Sequence, residues 1–191
     1  MHKNRLEAFS DGVIAILITI MVLELRVPAG ADWTALRSLG PTFCAYILSF
    51  IYLGIYWNNH HHLFAVVDHV SGGMLWANLH LLFWLSLVPF ATAWMGTHPR
   101  NGLPTAVYGG VLLCAALAYT ILVRTIIHAQ GAHSKLKAAV GGDIKGNVSL
   151  ALYVTAILST LARHEAAWLF YALVAVIWLV PDRRIERVVS A

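Results

Sequence analysis

Six apolar stretches constrain this chain more than any other feature, at 8–25, 39–57, 73–95, 103–127, 147–162 and 166–181. Crossing about 30 Å of hydrocarbon takes about 20 apolar residues in an α-helix. Inside hydrocarbon every backbone N–H and C=O must find a partner within the protein, so a single apolar stretch can cross only as a helix. Composition points the same way. Of 191 residues, 59% are hydrophobic and 12% charged, too little charge to cover a soluble domain of this length. The expectation is an all-α integral membrane protein with six transmembrane helices, forming one domain over 1–191. The last two stretches are short, but the Arg163-His164-Glu165 break between them fits a tight hairpin whose long side chains snorkel to the interface. If they merge, five spans result. Pro28-Ala29-Gly30, Pro99-Arg100-Asn101-Gly102 and Gly141-Gly142-Asp143 supply turn residues where helices should end.

Charge sets the direction of insertion. With six spans and the N-terminus inside, the inner segments hold Lys3, Arg5, Arg124, Lys135, Lys137, Lys145, Arg183, Arg184 and Arg187. The outer loops hold only Arg26, Arg37, Arg100 and Arg163. The positive-inside rule therefore predicts both termini in the cytoplasm. The first stretch follows Lys3 and Arg5 as a signal peptide would, but it contains Asp11 and Glu24 and is long, so it is expected to be a retained helix. Cys44 and Cys114 lie in different apolar stretches and read as small buried hydrophobes, not as a disulfide. The net charge of +4 is scattered over helix ends instead of gathered on one module, which argues against a nucleic-acid partner.

Ionisable groups in or beside a span are costly unless they are paired or hydrated, so Arg5, Glu7 and Asp11 need explaining. At about 100° per residue, Arg5 and Asp11 lie about 120° apart and cannot satisfy one another along one face. Asp11 either meets water at the interface, with Ser10 capping the helix start, or finds a partner on another helix. The second stretch closes with Trp57-Asn58-Asn59-His60-His61-His62-Leu63-Phe64, on the same side of the membrane. Three consecutive histidines point in different directions and do not converge on a metal. A hydrogen-bonded brace between helices accounts for them with fewer assumptions than a metal or a pH switch. Asn78 and His80 on the third helix can join it, or simply pack against a neighbour.

The opening Arg5-x-x-x-Phe9-Ser10-Asp11 closely resembles the signature of the lysosomal potassium channel family called transmembrane protein 175, in particular its single-repeat bacterial members. Tyr56-Trp57-x-x-His60-His61-x-Leu63-Phe64 and Leu87-Val88-Pro89-Phe90-x-Thr92 resemble the family in the same order and spacing. Together these motifs cover about the first half of the chain. The resemblance implies a potassium-permeable homotetramer in a bacterial cytoplasmic membrane, with the first helix of each subunit lining a central pore. It implies no enzyme activity and no cofactor beyond the permeating potassium ion. It also implies a side-chain constriction in place of a carbonyl filter, and no Thr-Val-Gly-Tyr-Gly segment occurs here. The innermost constriction residue falls on Ile16, followed by Ile20 and Leu23, with Thr19 as a selectivity candidate. Arg5, Phe9, Ser10, Asp11, Trp57, His60 and His61 form the implied assembly network.

Helical geometry is compatible with these roles. Relative to Ile16, Ile20 lies at about +40°, Leu23 at about −20° and Thr19 at about −60°, whereas Asp11 lies about 140° away. One helix can thus carry a pore stripe and a brace. In a helix apolar on every side, periodicity does not separate a pore stripe from one facing lipid or a neighbouring helix. The Thr19 hydroxyl can serve a permeating ion or bond back to the Ala15 carbonyl. Arg5 lies about 20° from the Ile16 direction, so four copies would repel cations unless paired sideways, as the resemblance implies. The rival reading is a proton-coupled secondary transporter using Asp11 and the histidines, which calls for a midplane site and usually an internal repeat; neither is visible. A membrane enzyme using His60 to His62, His80 and Asp11 as metal ligands lacks a nucleophile with an oriented base.

Overall fold

The computed structural model describes residues 3–131, 134, 136–137, 141 and 143–179. The first helix, α1 (Lys3–Met21), continues as a 3₁₀ turn over Val22–Glu24. It begins before the apolar stretch does, because the residues ahead of Ala8 are mostly good helix formers with no Gly or Pro among them. A short helix α2 (Trp33–Ser38), unexpected from the sequence, follows; the Asp32 side chain caps it by accepting from the Ala35 N–H at 2.7 Å.

Helix α3 (Gly40–Ala65) runs past the expected end at Trp57 and carries the whole Asn-His stretch with it. The third apolar stretch is two helices, α4 (Gly72–Ser86) and α5 (Val88–Thr97), joined at Leu87. Pro89 at the start of α5 explains the break: it has no N–H to continue the α4 ladder, and its ring crowds the preceding turn. Helix α6 (Gly102–Gln130) is the longest, and α7 (Ile144–Ser159) and α8 (His164–Leu179) complete the bundle. Residues 180 and 181 of the sixth expected span lie outside the described residues.

Among the described residues, four spans are long and apolar enough to cross a membrane: Lys3–Glu24, Gly40–Ala65, Gly72–Thr97 and Gly102–Gln130. Helices α7 and α8 are apolar but have 16 residues each, which at 1.5 Å per residue gives about 24 Å. The result is an all-α, multi-span membrane fold.

Helix α6 packs on α4, α5, α7 and α8, α3 packs on α5 and α8, and α1 leans on α3, α4 and α5. Without a strong hydrophobic drive between helices in lipid, close approach and buried polar contacts hold such a bundle together. At Gly96, an added Cβ would stand 2.7 Å from the Cα of Thr42, and the Thr42 hydroxyl donates to the Gly96 carbonyl at 3.1 Å. At Gly109, a Cβ would overlap the Tyr171 hydroxyl. That hydroxyl donates to the Thr105 carbonyl at 2.9 Å, and Tyr52 donates to the Tyr171 carbonyl at 2.7 Å, tying α3, α6 and α8 together.

Candidate functional site

Helix α1 has two faces. Leu6, Ser10, Ile14, Leu17 and Met21, spaced by three or four residues, are buried against the rest of the subunit. On the other side Ile16 is 57% exposed, Ile20 41% and Leu23 76%, and Phe9 and Thr19 are exposed beside them. The stripe singled out by sequence is therefore a free surface of the subunit. The Thr19 hydroxyl donates to the carbonyl of Ile16 at 2.9 Å, one residue later than the Ala15 carbonyl considered from sequence. This bond uses the hydroxyl's proton and leaves its oxygen lone pairs available as an acceptor.

The inward face of α1 is fixed by one polar contact chain. Ser10 donates to the Leu6 carbonyl at 2.9 Å, so its oxygen is free to accept, and Asn78 Nδ2 on α4 donates to it at 2.9 Å. The amide's other end, Asn78 Oδ1, lies 2.8 Å from His60 Nε2 on α3. An amide oxygen can only accept, so the network requires His60 to carry its proton on Nε2. All three side chains are buried. His60 Nδ1 is buried with no hydrogen-bond partner among the described residues, and the ring packs on Phe64 with centroids 4.6 Å apart. Ser10 is thus an interior brace residue and not a cap, since the helix begins well before it at Lys3.

Other residues of the expected network lie elsewhere in the subunit. Arg5, Phe9, Trp57 and His61 are exposed, and Asp11 is half-buried. Neither Arg5 nor Asp11 makes a hydrogen bond or ion pair among the described residues. His61 rests against His62 with ring centroids 5.7 Å apart. His80 is outside the brace: on an exposed face it accepts from the Trp84 indole N–H at 2.9 Å. No group of three His, Cys, Asp or Glu side chains among the described residues is placed to hold a metal ion.

A second buried polar cluster escaped the sequence reading. Thr92 on α5 donates to the Val88 carbonyl at 2.7 Å, so the 2.7 Å contact between Ser49 and Thr92 has Ser49 as donor. Tyr108 on α6 then supplies the proton of its 2.9 Å contact with Ser49. Thr92 falls in a quoted motif, but Ser49 and Tyr108 sit in apolar stretches without any marking neighbour. Their only sequence signal is a polar atom at membrane depth.

Apolar helices long enough to span a bilayer, one of them presenting an exposed apolar stripe and braced from behind, define a multi-span membrane protein. Its relatives are specific. The family model described as the endosomal/lysosomal potassium channel TMEM175 matches residues 5–89. A potassium channel of Chryseobacterium sp. (strain P1-3) is 57% identical over 187 residues, covering 98% of this chain and 97% of that protein. The crystal structure of a lysosomal potassium-selective channel TMEM175 homolog from Chamaesiphon minutus superposes with a TM-score of 0.83 at 27% identity. That match covers 94% of this chain and 97% of the other. The human endosomal/lysosomal proton channel TMEM175 is 35% identical over 118 residues, and the match spans 23% of its length. The chain belongs to the TMEM175 family, as a single-repeat homolog of the bacterial kind.

Proposed function

We propose that this chain forms a potassium-permeable channel in a bacterial cytoplasmic membrane, as a homotetramer whose four α1 helices surround a central pore. The observation that carries the reading is the exposed Ile16, Ile20 and Leu23 stripe, opposite the face that is braced into the subunit. One helix per subunit cannot enclose a path, so several copies must bring these stripes together. In this arrangement α7 and α8 complete six crossings, and both termini lie in the cytoplasm. Arg5 and Asp11, without ion pairs among the described residues of one subunit, are then left to pair between subunits at the cytoplasmic mouth.

A ring of isoleucine side chains offers a passing ion nothing in place of its hydration water, so a narrow ring dewets and closes the path. Widened slightly, it favours potassium, which gives up hydration more cheaply than sodium, and selectivity stays modest. The test is ion flux through the purified protein in liposomes, with potassium and sodium compared under equal gradients. Dissipative, potassium-preferring flux is expected. Flux that saturates and follows a proton gradient would instead favour the proton-coupled transporter.

Thr19 supplies the finer prediction. Thr19→Val keeps the shape of the side chain and removes the oxygen that an ion could meet one turn from Ile16. The expected result is a lower potassium-to-sodium permeability ratio, by roughly threefold, which corresponds to losing about 0.7 kcal/mol of discrimination. Reversal potentials under bi-ionic conditions measure it, and an unchanged ratio would leave selectivity to the apolar ring alone.

A further inference from the structure

A cavity of about 50 Å³ lies between α3, α6, α7 and α8, at the end of the subunit where α7 begins, and no α1 residue lines it. Its walls include Tyr56, Asn59, Tyr119, Asp143, Tyr153 and Trp178. At 10–15 Å³ per water it would hold about four waters, or a compact organic group of similar size. The lining combines aromatic rings with a single charged side chain, the Asp143 carboxylate.

The backbone is shaped to put that carboxylate there. Asp143 has φ +32°, in the left-handed region, and is the only non-glycine among the described residues with positive φ. Its Oδ1 accepts the Gly146 N–H at 3.0 Å, capping α7, and a Cβ at Gly146 would collide with the carboxylate. Aromatic rings beside one negative charge are the chemistry that recognises an ammonium group. The Lys145 ammonium stands 6.0 Å from the centroid of the Trp178 ring, at the outer reach of a cation–π contact.

We propose that this cavity binds a small organic ammonium ion, held by cation–π contact with the Tyr and Trp rings and by the Asp143 charge. The group can arrive as a free amine or as the ethanolamine headgroup of a lipid at the cytoplasmic surface. The site is independent of the pore, and the proposal does not rest on potassium conduction.

The experiment is calorimetric titration of the purified full-length protein, in an amine-free detergent buffer, with tetramethylammonium and with ethanolamine. Saturable binding is expected, weakened about tenfold by Asp143→Asn, a loss of about 1.4 kcal/mol. Asparagine caps a helix as well as aspartate does, so this variant removes charge while keeping the fold. Trp178→Leu should weaken binding as well, and Ile16→Asn should leave it unchanged. Repeating the titration in nanodiscs of phosphatidylethanolamine or phosphatidylglycerol separates the sources. Competition only from the ethanolamine lipid identifies a headgroup site, and equal binding in both identifies a site for free amines. Absence of saturable binding, full affinity in Asp143→Asn, or loss of binding in Ile16→Asn would each overturn the proposal.

Discussion

Ile16→Asn is expected to make the assembled protein leak, with potassium flux rising at least about tenfold and the preference over sodium falling. The side chains differ little in length, but asparagine brings an amide oxygen and two N–H donors to a place where isoleucine offers only hydrocarbon. Water then remains in the constriction, and an ion no longer sheds its shell without replacement. Lowering the barrier by about 1.4 kcal/mol is enough for the tenfold change. Because Ile16 is 57% exposed on the subunit surface, the substitution empties no packed core and stability of the subunit should hold. Liposome flux with both ions, alongside a sizing measurement of the oligomer, checks the result. Wild-type flux from an intact oligomer would remove Ile16 from the constriction. Ile20→Asn and Leu23→Asn then locate the ring, since both lie on the same exposed stripe.

That Ile16, Ile20 and Leu23 share one side of α1 was legible because a helix has a fixed angular step, but which side is exposed depends on the neighbouring helices and not on periodicity. The all-α, multi-span character was legible for a related reason, since apolar length is a direct consequence of hydrocarbon thickness. Helix ends were read less well. The expected end at Trp57 assumed that Asn58, Asn59 and three histidines mark a boundary. In the fold they continue α3 and turn Asn59 and His60 inward, where Asn59 bonds back to the Ile55 carbonyl and His60 meets Asn78. Polarity measured along a chain does not tell which side of a helix will be protected by neighbours. The split of the third stretch at Leu87 had its cause in view at Pro89, but a proline near an apolar helix start also fits one kinked helix. Ser49 with Tyr108, and Asp143 with its cavity, depend on residues far apart in sequence coming together. No local pattern encodes such pairs.

Asn78→Ala should destabilise the subunit by about 2 kcal/mol, because one amide answers two helices at once. Its removal deprives His60 Nε2–H of an acceptor and the Ser10 oxygen of a donor, and both groups are buried. His60 Nδ1 already lacks a partner among the described residues, so the ring would be left with neither nitrogen bonded to them. Hydrogen bonds between membrane helices average about 0.6 kcal/mol, and the larger figure here comes from the buried donor left behind. Ser10→Ala removes one arm only and should cost about 1 kcal/mol, and combining it with Asn78→Ala should add less than the sum of the two. Leu79→Ala, on the exposed side of the same helix, should change stability by less than about 0.5 kcal/mol. Unfolding in mixed detergent micelles measures all four variants, and wild-type stability of Asn78→Ala would deny the brace any energetic role. The consequence reaches the proposed pore, because this contact chain sets the rotation of α1 about its own axis. A turn of one residue, about 100°, would carry Ile16 out of its direction and bring a different side chain forward. On that proposal Asn78 is a positioning residue for the constriction. Its replacement should broaden conductance and weaken potassium preference even though the side chain stands on the far side of α1 from the stripe.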